Sequence, residues 1–68
     1  MFKPRRVMMD VVGFTQVKRQ AGESRKEVFQ RDGNTVERYI SDNGSAVEKV
    51  SQPSGRHWHV FVPKELVK

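Results

Sequence analysis

Through the second half of the chain, apolar side chains alternate with polar and charged ones in short runs broken by glycine-bearing corners. A period of two is the mark of a strand with one dry face. The corners Ala21-Gly22-Glu23-Ser24, Asp32-Gly33, Asn43-Gly44 and Gln52-Pro53-Ser54-Gly55 recur about every ten residues, the spacing of a β-meander, sandwich or small barrel. Asp-Gly and Asn-Gly suit two-residue type I′ turns, which need positive φ at both positions. Gln52-Pro53-Ser54-Gly55 suits a type I turn, with proline presetting φ at its second position.

These turns together predict a register. A hairpin on Asp32-Gly33 pairs Phe29 with Val36 and Glu27 with Arg38. One on Asn43-Gly44 pairs Ile40 with Val47 and Arg38 with Lys49. A third, centred between Pro53 and Ser54, pairs Val47 with Val60 and Lys49 with Trp58. One face then carries Phe29, Val36, Ile40, Val47, Trp58, Val60 and Val62, with Glu27 placed to bridge Arg38. The opposite face is mixed, holding Lys26, Val28, Glu37, Tyr39, Glu48, Val50, His57, His59 and Phe61, as a half-solvated sheet should. A slip of one residue would throw a whole strand onto the other face, so the agreement of three turns on one apolar face carries weight.

The N-terminal part is less regular. Val7-Met8-Met9-Asp10-Val11-Val12-Gly13-Phe14 is apolar at both parities. It reads as one long strand from Arg5 to Arg19, bent or bulged at Gly13, packing over the meander and closing it towards a barrel. Eleven valines against one leucine, one isoleucine and two alanines favour strand throughout, because β-branched side chains suit a pleated surface. The predicted fold is therefore all-β, an antiparallel meander or an SH3-like or OB-like barrel of four to five strands. The rival is a winged helix-turn-helix. Asn34-Thr35-Val36-Glu37 and Ser45-Ala46-Val47-Glu48 resemble capping boxes, which would turn residues 34–51 into two short helices before a wing strand. Each helix would have only about two turns and little apolar surface to bury.

Length and charge narrow the function. Sixty-eight residues make one domain, 1–68, and a chain of that size buries only about 60% of its unfolded surface. Residues 1–5 read as a flexible basic arm. Without cysteine, disulfides and cysteine-rich zinc sites are excluded, and a cytoplasmic location fits. No apolar run reaches the roughly 18 residues of a membrane span, and the basic N-terminus lacks a signal-peptide core. Of the 13 Lys and Arg and 8 Asp and Glu, residues 1–31 hold eight and three, residues 32–68 five and five, so the whole net charge of +5 lies in the first half. Such asymmetry points to nucleic acid or another anionic surface, and a small basic chain of this kind fits a phage or plasmid origin.

No catalytic motif is present. No glycine-framed nucleophile surrounds any serine, no phosphate-cradling glycine pattern occurs, and the chain is not expected to be an enzyme or to hold a cofactor. His57-Trp58-His59 puts two imidazoles on one strand face about 7 Å apart, but further metal ligands are lacking, so Trp58 reads as a core anchor flanked by half-exposed histidines. What remains is phosphate chemistry. Lys3, Arg5 and Arg6 form the arm, while Lys18, Arg19, Arg25 and Lys26 crowd around the first corner, with Arg31 beyond them. Tyr39 and His59 are expected to add stacking or phosphate contacts. The leading expectation is a module that binds DNA or RNA through its N-terminal half. The alternative is a protein-interaction module or inhibitor, docking an acidic partner or a sheet edge, with a homodimer as one form of it.

Overall fold

In the computed structural model, which describes residues 3–67, Asp32 and Gly33 both take positive φ, 55° and 79°. That is the turn whose twist matches its flanking strands. It joins β2 (Lys26–Arg31) to β3 (Asn34–Ile40) in the expected register, Phe29 opposite Val36 and Glu27 opposite Arg38. Two more hairpins lead to β4 (Ala46–Ser51) and β5 (His57–Val62), and a short strand, β1 (Val7–Met9), pairs antiparallel with β5. The five strands form one antiparallel sheet in the order β1-β5-β4-β3-β2. The protein is thus mainly β, a meander with one added edge strand, and the sheet remains open. Residues 34–51 are two strands and the loop between them, which removes the winged helix-turn-helix. Of the expected N-terminal arm, residues 3–6 are exposed and without regular structure, and Met1 and Phe2 lie outside the described residues.

Both later loops are one residue longer than expected. Ser41 N–H donates to the Ser45 carbonyl at 2.8 Å and Gly44 N–H to Ser41 at 3.0 Å; Gln52 and Gly55 repeat the pattern with Arg56 and Gln52, at 2.8 and 3.0 Å. Gly44 and Gly55 close these loops at φ 91° and 97°, a left-handed residue after a turn, which is the three-residue hairpin rather than the two-residue one. Asn43 braces the first loop, its Oδ1 accepting from Ser45 N at 3.0 Å and from the hydroxyls of Ser41 and Ser45 at 2.7 and 2.6 Å. Ile40 therefore faces Ala46, Arg38 faces Glu48, Val47 faces Phe61 and Lys49 faces His59. The expected pairs Ile40–Val47, Arg38–Lys49, Val47–Val60 and Lys49–Trp58 are all corrected. The two one-residue shifts add up to two across β4, so β5 slides by two residues along β3 yet keeps its expected face, and β4 alone is turned over.

The N-terminal segment is the second correction. Its strand stops at Met9, and Val11–Ala21 is an α-helix, α1. Asp10 caps it, its carboxylate accepting from Gly13 N–H at 2.8 Å. Gly22 ends it at φ 66°, its N–H reaching the Lys18 carbonyl at 3.0 Å, a conformation that favours glycine. Lys18 and Arg19 occupy the last turn, where the helix carbonyls favour positive charge. Phe14, Val17 and Ala21 line one side of α1, and with Met9 they pack on Tyr39 and Val47. Turning β4 over is what gives α1 the Val47 side chain to sit on.

No α-helix among the described residues covers the opposite face of the sheet, yet Val36, Ala46 and Val62 are wholly buried there with Val50 and Val60. Phe29, Ile40, Trp58, Leu66 and Val67 pack around them, the last two brought in by a 3₁₀ turn at Lys64–Leu66. Arg6 and Met8, at one end of the strand order, line the same cavity as Arg31, Asp32 and Asn34 at the other. The sheet is therefore curled about this face.

Candidate functional site

Cationic side chains fall into two populations in the fold. On the curled face, Glu48 is wholly buried and accepts from Arg31 Nη2 at 2.7 Å and from Arg38 Nη2 and Nε at 2.8 and 3.0 Å. Arg38 reaches on to Glu27 at 3.5 Å, as the cross-strand pairing anticipates, and its guanidinium lies 4.8 Å from the centre of the Phe29 ring. Burial alone would raise the Glu48 pKa, but hydrogen bonds and charge from the two arginines outweigh it and hold the carboxyl below its ordinary value. Every buried side-chain nitrogen and oxygen among the described residues has a partner. The network is a structural one, with its charges spent on each other.

On the helix face the situation is reversed. Between α1 and the sheet lies a groove of about 400 Å³, lined by Val11, Phe14, Thr15, Lys18, Arg19, Glu37, Lys49, His57 and His59. The last turn of α1 supplies Lys18 and Arg19, β4 supplies Lys49, and the start of β5 supplies the two histidines, as strand alternation requires. Among the described residues Lys18, Arg19 and Lys49 form no ion pair, whereas the groove's carboxylate, Glu37, is held by Lys26 at 3.6 Å and by the Tyr39 hydroxyl at 3.2 Å. The His59 ring rests on Phe14, centroids 4.6 Å apart, and His57 meets it edge-on at 5.8 Å. Burial, followed by the charges of His57 and Lys49, lowers the His59 pKa, so at neutral pH its imidazole is uncharged and can both donate and accept. Among the described residues no group of three or more His, Cys, Asp or Glu comes together that could hold a metal ion.

The residues singled out from sequence are dispersed. Lys18, Arg19 and His59 meet in the groove, and Lys3, Arg5 and Arg6 are exposed in the segment before β1. Arg25 pairs with Asp42 at 2.6 Å. Lys26 lies between Glu23 and Glu37, and Arg31 is committed to Glu48. Tyr39, expected to stack on a base, is 2% exposed and has Phe14 edge-on against its ring at 5.7 Å, so it offers no free face. Its hydroxyl pKa is raised by burial and then by the Glu37 charge. Glu37 and Glu48, expected on one face, lie on opposite ones. Lys49 was missed as a groove residue because the expected register set it beside Trp58; the glycines at the fourth position of both loops were the signal for the longer turns.

Comparison with known protein families, with curated proteins and with solved structures gives no match to this chain.

Proposed function

We propose that this protein is a small nucleic-acid-binding module of the cytoplasm that holds phosphates in the groove between α1 and the sheet. The observation that carries this reading is the convergence of Lys18, Arg19 and Lys49, none ion-paired among the described residues, on a groove with two imidazoles and one already neutralised carboxylate. Unpaired cations facing one another across a concavity repel, and a polyanion relieves that repulsion while releasing its own counterions. Lys18 and Arg19 add the orientation of a helix end, while Lys49 and His57 extend the line of donors along the sheet. The exposed segment with Lys3, Arg5 and Arg6 supplies further phosphate contacts. No helix among the described residues is long and apolar enough to cross a membrane.

Fluorescence anisotropy of labelled single-stranded and duplex oligonucleotides tests the reading. The three groove contacts alone give a slope of about −2.7 in log affinity against log salt on duplex DNA, about a 40-fold loss between 50 and 200 mM salt, and contacts from the basic segment steepen it. Lys18→Gln with Lys49→Gln should flatten that slope by nearly two. Absence of binding at about 50 mM salt, or an unchanged slope in the double variant, would overturn the groove as the site.

A second reading rests on the outer edge of β1. Its backbone pairs only with β5, and Val7 and Met8 are 50% and 67% exposed beside Val11 and Val12 at 54% and 62%. Such an edge accepts a strand from an acidic partner or from a second copy. Sedimentation of the chain alone tests self-association, and Met8→Lys should abolish it.

A further inference from the structure

We infer that the cavity on the curled face is a nucleobase pocket, so that the protein prefers single strands whose bases can be splayed away from the phosphates. The inference rests on the phosphate groove proposed above and assigns a different part of the molecule. The cavity, about 370 Å³, is lined by Arg6, Met8, Arg31, Asp32, Asn34, Val50, Trp58 and Val60. Its floor is apolar, Val50 and Val60 being 5% and 6% exposed, and Trp58 is only partly covered. Asn34 and Asp32 stand at the rim, their side chains taking no hydrogen bond among the described residues, and together they present both donors and acceptors. Arg31 is neutralised by Glu48, which leaves Arg6 as the cavity's cation without an ion pair among the described residues. An apolar floor, an aromatic face and a mixed polar rim suit an uncharged heterocycle far better than a phosphate.

The placement of β5 links the two sites. His57 and His59 face the groove while Trp58, between them, faces the cavity. The β1 partner ends at Met9 opposite His59, so the backbone at His57 and Trp58 is not overlain by β1. A single strand can cross β5 there, keeping its phosphates by Lys49 and the histidines and turning one base inward onto Trp58. A duplex cannot do so without unstacking and unpairing that base, which weakens its binding.

The chain has one tryptophan, so its emission reports this pocket alone. Anisotropy and intrinsic fluorescence are measured together on the wild-type protein with an unlabelled and a labelled oligonucleotide, single-stranded and then annealed. The expected result is strong quenching of Trp58 that saturates with single-strand binding, and duplex binding at least about tenfold weaker with little quenching. Asn34→Ala, at the cavity rim and away from the groove and the basic segment, should weaken the single strand and leave the duplex almost unchanged. Single-strand binding by anisotropy with Trp58 emission unaltered overturns the base pocket and leaves the groove standing. Equal quenching and affinity with duplex overturns it as well, and no binding of either form removes both readings at once.

Discussion

Arg38 on the curled face and Lys18 on the helix face are equal in charge and opposite in situation. Arg38 is 6% exposed and held by Glu48 and Glu27; Lys18 lines an open groove and has no carboxylate partner among the described residues. The first belongs to a buried network on the curled face, where every buried side-chain nitrogen and oxygen among the described residues has a partner. The second is available to something outside the molecule. Net charge counts them alike, so the two regions must be separated by partner distance and burial, and the clean way to separate them is to remove one charge from each.

The largest effect is expected at Glu48. Glu48→Ala leaves Arg38 buried with only the longer contact to half-exposed Glu27, and uncompensated buried charge costs about 3–5 kcal/mol. For a domain this small, whose whole stability lies at the low end of about 5–15 kcal/mol, urea denaturation of this variant should show a midpoint near zero or no folded baseline. A loss under about 1 kcal/mol would mean the network is not the structural unit described above. Replacing the set together, Arg31→Leu, Arg38→Met and Glu48→Leu, should be far milder than the single change, since no lone charge remains.

Next comes the cap that holds the groove's helical wall. Asp10→Ala removes the acceptor for Gly13 N–H, worth about 1 kcal/mol, and an eleven-residue helix is too short to persist without packing. Amide exchange should quicken in Val11 to Thr15 while β3 and β4 remain protected. Uniform loss of protection across the sheet would show that the helix and the curled face do not open independently.

How far the sequence disclosed these two regions follows from the same contrast. The curled face was legible: Asp32-Gly33 admits one turn, that turn sets β2 against β3, and the Glu27–Arg38 contact comes with it. The helix face was not. Val7 to Phe14 is apolar at both parities, so alternation could not separate a three-residue strand from the helix after it. The deciding signs were local ones, Asp10 three residues before Gly13 and Gly22 just past Ala21, with Phe14, Val17 and Ala21 at helical spacing. In β4, two loops each one residue longer than expected put Lys49 and Val47 on the other face, while β2, β3 and β5 kept theirs. Half of the groove was therefore visible as charge, in Lys18, Arg19 and His59, and half was hidden in loop length. Burial explains the rest: nothing in the residue types tells that Arg31 has a carboxylate waiting or that the Tyr39 ring is covered.

Acidity acts on both regions, in the same direction and at different pH. Glu48 has its pKa held below the ordinary 4.5 by the arginines, so its stabilisation is complete above that value and is lost as pH falls through the lowered native one. His59 has its pKa lowered from 6.5. The folded state then binds fewer protons than the unfolded one between the two values, and stability falls as pH drops below 6.5. Thermal melts taken from pH 7 downward should lose ground in two steps, a shallow one near the histidine range and a steep one in the carboxylate range. His59→Gln should erase the first alone; a first step that survives it would show that His59 is not its source.

The smallest stability effect is the one that most sharpens the comparison. Lys18 and Lys49 are surface groups without ion pairs among the described residues, so Lys18→Gln and Lys49→Gln should each change stability by no more than about 0.5 kcal/mol. Removing Lys49 relieves repulsion of protonated His59, whose depressed pKa owes a share to that neighbour, so the double variant should be slightly more stable near pH 6 than the wild type. A groove kept positively charged at a small cost in stability is what a binding surface requires and what a core does not. If Lys49→Gln instead destabilises the fold by as much as the buried carboxylate does, its charge is structural after all. The division between spent and available cations would then collapse into a single network running through β4.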